Sequence, residues 1–93
     1  MKFEWDEAKN NGSFRKHRVW FEEAQTVWAD IKSVEFFDPE HSLQEERFIR
    51  IGFATSQKLL LVVFCERDKG EIIRIISAGK ATTKERKQYE EGI

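Results

Sequence analysis

The sequence predicts an α+β domain, with an antiparallel sheet of four or five strands, two helices before it and one after. Three observations carry that reading. A helical stripe of apolar residues lies before residue 30. Residues 34 to 78 then alternate with a period of two and are rich in β-branched and aromatic side chains. The links between the alternating segments are hairpin-short, which makes neighbouring strands antiparallel.

In chain order, Phe3-Glu4-Trp5 alternates as a short strand does, and Asp6 stands as N-cap to a largely polar helix from Glu7 to about Lys16. A second helix, Phe21 to about Ala29, sets Phe21, Ala24, Val27 and Trp28 on one stripe, with Glu22-Glu23 at the positive end of its dipole. Strands are expected at 34–37, 46–54, 59–66 and 71–78, with Pro39 in a polar turn. Thr55-Ser56-Gln57-Lys58 and Asp68-Lys69-Gly70 are the hairpin connections. Thr82 and Glu85 form a capping box for a basic helix ending near Glu91-Gly92. Strand 59–66 is apolar on both faces, so it is central and needs cover on both sides. Three helices cover a sheet of this width only in part, leaving sheet surface for a partner.

The 93 residues fit one domain, 1–93, and exclude a two-domain enzyme. With 40% hydrophobic and 35% charged residues, eight Phe and three Trp, the chain is too aromatic for disorder and too charged for a membrane span. No apolar secretory segment follows Met1, so a cytoplasmic location without membrane association is expected. The single cysteine, Cys65, lies in an apolar run and reads as a buried reduced thiol. Net charge is −1, but residues 1–46 carry 6 basic and 11 acidic side chains, and residues 47–93 carry 10 and 6. A basic half attracts a phosphate backbone, although an ordinary solvated surface has the same composition.

Candidate site residues are the charges that strands do not need: Arg47, Arg50, Glu66, Arg67 and Arg74. Pairing Ala54 with Leu59 and Arg67 with Glu71 sets Arg47 opposite Glu66 and Arg74 opposite Phe64, with Arg47, Glu66 and Arg74 on one face. A cross-strand salt bridge is the structural reading of that cluster. The functional one is metal-independent phosphodiester cleavage, in which arginines hold phosphate oxygens and a base takes the proton of a ribose 2′-OH. Glu66 and His17 are the candidate bases. His41 reads as a plain turn residue. No phosphate loop, paired cysteines or two-histidine spacing is present, so neither metal nor cofactor is expected.

Phe3-Glu4-Trp5-Asp6, Lys16-His17, Phe21-Glu22-Glu23-Ala24, Glu45-Glu46-Arg47, Ile51-Gly52, Glu66-Arg67 and Ile73-Arg74-Ile75-Ile76-Ser77-Ala78 together resemble the BrnT family of toxins. The resemblance runs from Phe3 to about Tyr89 and rests on collinearity rather than on one motif. It implies a RelE-like fold and a ribonuclease toxin of a type II toxin–antitoxin module, held inactive by a ribbon-helix-helix BrnA antitoxin that also represses the operon. It therefore implies RNA as substrate, and DNA contact only through the antitoxin. On this reading the site comprises Arg47, Glu66, Arg67 and Arg74, flanked by His17 and Lys80. The alternative is a non-catalytic module that binds a partner protein and regulates transcription through it. Three departures from the family pattern stand out: Arg18 in place of Gly, Ser13 in place of Asn, and Gly79 in place of Arg. The last predicts a weakened enzyme.

Overall fold

Asp6 fixes the first turn of the chain. Its carboxylate accepts the Lys9 N–H at 3.1 Å and opens α1 (Glu7–His17) directly after the short strand β1 (Lys2–Glu4). The computed structural model describes residues 1–92. Two polar residues of α1, Asn10 and Ser13, are buried. Asn10 accepts the Phe21 N–H at 2.7 Å and donates to Glu22 at 2.8 Å and Glu7 at 3.1 Å. It thereby caps α2 (Phe21–Ala24), whose own N-cap residue, Trp20, makes no side-chain cap bond. Ser13 Oγ lies 2.7 Å from the Val19 carbonyl oxygen and 3.3 Å from that of Ala78, pinning α1 to the sheet.

The helix expected to reach Ala29 is α-helical only to Ala24, and Gln25–Ala29 continue as a 3₁₀ turn. Thr26 Oγ1 donates to the Glu23 carbonyl at 2.6 Å, and the β-branched pair Thr26-Val27 favours the tighter winding. The buried stripe survives, because Phe21, Ala24 and Val27 are all at most 1% exposed.

Five strands follow the order β1-β5-β4-β3-β2, where β2 is Val34–Asp38, β3 Arg47–Phe53, β4 Leu59–Arg67 and β5 Ile72–Lys80. β2 to β5 are antiparallel as expected, but β1 runs parallel to β5, so the sheet is mixed. No hairpin ties β1 to its neighbour, and its direction follows from where α1 must pack. Both central registers differ by one residue from the expected ones. Phe53 pairs with Leu59, and Arg67 with Ile72. The turns absorb the extra residues through left-handed Gln57, Asp68, Lys69 and Gly70. The β4–β5 ladder also shifts between Val63, opposite Ser77, and Phe64, opposite Ile75, so Ile76 is an inserted bulge residue.

One sheet face packs Leu60, Val62, Phe64, Ile73, Ile75 and Ala78 against Val19, Phe21, Ala24 and Val27. On the other, α3 (Thr83–Glu91) covers only one end, with Tyr89 over Val34, Ile51 and Leu59. Tyr89 donates to Asp30 at 2.7 Å, and Asp30 also accepts the Phe53 N–H at 2.8 Å. Burial and this carboxylate push the Tyr89 hydroxyl up to about 12. Burial alone would raise Asp30, but its hydrogen bonds from Phe53, Tyr89 and Lys32 hold it below the usual value.

α1 ends on Arg18, which adopts a left-handed φ of 60° and donates its N–H to the Phe14 carbonyl at 2.9 Å. Glycine is the usual residue in this conformation at a helix end, and a Cβ there costs about 1–2 kcal/mol. The Arg18 guanidinium lies 5.4 Å from the Phe14 ring centroid, a contact that recovers about 0.5 kcal/mol. Arg18→Gly is therefore expected to stabilise the fold by about 1 kcal/mol, read as a higher urea midpoint at unchanged slope. A lower midpoint would show that Arg18 is not strained.

Candidate active site

The one-residue register shifts decide which charges meet. Arg74 pairs with Cys65 rather than Phe64, and extending the β3–β4 ladder by one residue sets Arg47 level with Cys65 as well. Glu66 pairs with Ile73 and projects from the helix-covered side. The expected grouping of Arg47, Glu66 and Arg74 is thus corrected: the two arginines share the open face, Arg67 joins them, and Glu66 does not.

Two carboxylates hold the arginines in a row across β5, β4 and β3. Glu4 accepts from Arg74 Nη1 at 2.8 Å and lies 3.8 Å from Arg67 Nε. Glu45 lies 3.9 Å from Arg67 Nη2 and 3.8 Å from Arg47 Nη2. Only the Arg74 contact is within hydrogen-bond distance. The side chain of Arg67 is 52% exposed, and such half-open pairs contribute about 0–1 kcal/mol each. The row is therefore weakly self-satisfied, and its guanidiniums can exchange a carboxylate for a phosphate at small cost.

Arg50 differs. It donates to Ser33 and Glu35, both at 2.6 Å, and lies 4.8 Å from the Trp28 ring centroid, which accounts for it structurally. Beneath the row, Cys65 is 2% exposed, as its apolar run predicts. Burial, followed by the Glu45 charge, pushes its thiol up despite the opposing Arg67 contact.

The bulge at Ile76 resets side-chain alternation, so Ser77 and Gly79 share the open face with Arg74. Gly79 sits about 15 Å along β5 from Arg74 at strand spacing. A Cβ there would lie 3.8 Å from His17 Cγ, an ordinary contact, and φ at 79 is not positive. Nothing in the backbone requires glycine at this position. His17 and position 79 are thus neighbours. Lys80 pairs with Leu60, so it turns to the opposite side of the strand end, exposed.

Two features were not read from the sequence. One is the bridging role of Glu4 and Glu45. The other is the buried Asp38, whose Oδ2 lies 2.9 Å from His41 Nδ1; the i,i+3 spacing in Asp38-Pro39-Glu40-His41 is the available signal. Among the described residues, no three His, Cys, Asp or Glu side chains converge as a metal site, and no helix is long and apolar enough to cross a membrane.

The family described as ribonuclease toxin, BrnT, of type II toxin-antitoxin system matches residues 5–85. The chain belongs to the BrnT family. The 1.1 Å crystal structure of the Brucella abortus ribonuclease toxin BrnT superposes with a TM-score of 0.67 at 22% identity, covering 89% of this chain and 99% of that one. The architecture above is therefore a BrnT fold. No curated protein matches the chain.

The burial of Cys65 gives a direct check on this end of the site. Labelling by a disulfide reagent at pH 8 should be more than about tenfold slower in the native protein than in urea. Comparable rates would mean that the surface beneath the arginines is open to solvent.

Proposed function

We propose that the chain is an endoribonuclease that works without metal, binding single-stranded RNA along the open sheet face. The observation that carries this reading is the row Arg47–Arg67–Arg74, held loosely on the one sheet surface that helices leave bare. Guanidiniums keep their charge at all working pH values and bind phosphate oxygens bidentately. RNA held there continues along β5 past Ser77 to position 79, where His17 takes the 2′-OH proton. The 2′-oxygen bonds to phosphorus as the bond to the 5′-oxygen breaks, and the 5′-oxygen takes a proton from water. Glu66 sits on the wrong face for this role, and Lys80 adds positive charge at the strand end. On this reading the protein acts in the bacterial cytoplasm, where cleavage of mRNA halts translation.

Gly79 itself supplies no cation to the reacting phosphate. One preorganised donor at a developing oxyanion is worth about 2.7–4 kcal/mol, roughly a hundred- to a thousandfold in rate. Gly79→Arg has room to form and should raise both RNA cleavage in EDTA and growth arrest without antitoxin by about that factor. Equal activity of the two forms would move the chemistry away from position 79. Intact RNA with both forms would favour the non-catalytic binding module.

The partner we propose is a BrnA-like ribbon-helix-helix antitoxin, whose acidic segment is steered to the +4 half and covers the phosphate track. Hydrogen exchange on antitoxin binding should slow at the amides of Arg67, Arg74 and Lys80. Protection confined to residues 1–46 would contradict this.

A further inference from the structure

At the end of the arginine row farthest from β1, the segment between β2 and β3 folds beside Arg47 and forms an open cavity of about 320 Å³. Small-ligand sites run from about 300 to 1,000 Å³. The cavity is lined by Glu40, His41, Leu43, Gln44, Glu45 and Arg47. We propose that it seats one unstacked guanine of the bound RNA and so sets sequence preference. This rests on the RNA-binding reading above and deepens it.

The lining argues for a base rather than a phosphate. Glu40 and Glu45 repel an anion, whereas a neutral heterocycle with N–H donors is attracted to them. Arg47 asks for the opposite chemistry. Its Nε is buried with no partner among the described residues, and its contact with Glu45, at 3.8 Å, is longer than a hydrogen bond. Arg50 Nε is also unpartnered, but that guanidinium lies over the Trp28 ring. A carboxylate and a guanidinium a few ångströms apart match guanine, which sets N1–H and its amino group beside the acceptors O6 and N7. Adenine presents a donor where guanine has O6, and the pyrimidines lack N7.

Stacking surfaces are also present. The His41 side chain is 63% exposed, while the Asp38 carboxylate that fixes its ring is 11% exposed. Leu43, at the same cavity, is 94% exposed, an apolar side chain with no protein cover. Single-stranded RNA is read in this way, by bases stacked on flat side chains and hydrogen-bonded along their edges. Asp38 pairs with Arg47 in the β2–β3 ladder, so platform and guanidinium are held by the same two strands.

The test uses the intact protein in EDTA and short uridine-rich 2′-O-methyl oligonucleotides, which cannot be cleaved, carrying G, A, C or U at one central position. Fluorescence anisotropy should show the G form binding at least about tenfold tighter than the others. Glu45→Gln should reduce that preference to within about twofold, while His41→Phe, which keeps a stacking ring, should retain it. Matched thermal midpoints establish that the variants fold. Equal affinity for all four oligonucleotides, or a G preference that survives Glu45→Gln, overturns the proposal. Cleavage of the unmodified RNAs separates the two readings. Cutting without G preference removes the guanine pocket alone, G-preferring binding without cutting removes the ribonuclease reading alone, and no binding removes both.

Discussion

The inserted residue Ile76 in the β4–β5 ladder is the constraint on which the arrangement of both sheet faces depends. Side chains alternate strictly along a strand, so residues five apart point to opposite faces unless an extra residue intervenes. With the bulge, Ile73, Ile75 and Ala78 all enter the helix-covered core, each 4% exposed or less, while Arg74, Ser77 and Gly79 share the open face. Without it, either Ala78 would leave the core or Arg74 would enter it. A buried unpaired guanidinium costs several kcal/mol, so the bulge is the cheaper arrangement.

Coverage then divides labour between the faces. α1, α2 and the 3₁₀ turn cover one face, with Asn10 and Ser13 supplying the polar pins. α3 covers one end of the other face and is tied down through Tyr89 and Asp30. The remainder carries Arg47, Arg67 and Arg74, of which only Arg74 is hydrogen-bonded to its carboxylate. Contacts of 3.8–3.9 Å between half-exposed groups add little stability, and that weakness favours a ligand-binding role.

Most of the fold was legible because helices and strands announce themselves by period, caps and turn residues. Asp6, the capping box of Thr82 and Glu85, and the alternation from Val34 onward placed their elements to within a residue or two. Register was not legible. It depends on left-handed Gln57, Asp68 and Lys69, residues that composition does not mark as αL, and a one-residue slip exchanges Glu66 for Cys65 on the arginine face. The polar core was missed because Asn10 and Ser13 look solvated in a helix of low apolar content. The parallel pairing of β1 and the Asp38–His41 contact depend on tertiary packing and on a turn conformation that spacing alone does not specify. Within the site, Arg47, Arg67 and Arg74 were identifiable as charges interrupting apolar strands, but their carboxylate tethers were not.

The central claim, that RNA lies on the open face, is tested most directly by the arginine Nε–H signals in a ¹H–¹⁵N spectrum. The chain has seven arginines, each with its own signal and a known place in the fold. On titration with a non-cleavable oligonucleotide, the account predicts shifts at Arg47, Arg67 and Arg74, with Arg50, over Trp28 on the helix-covered face, unmoved. Shifts at Arg50 with the row unchanged would place the RNA against the helices and contradict it.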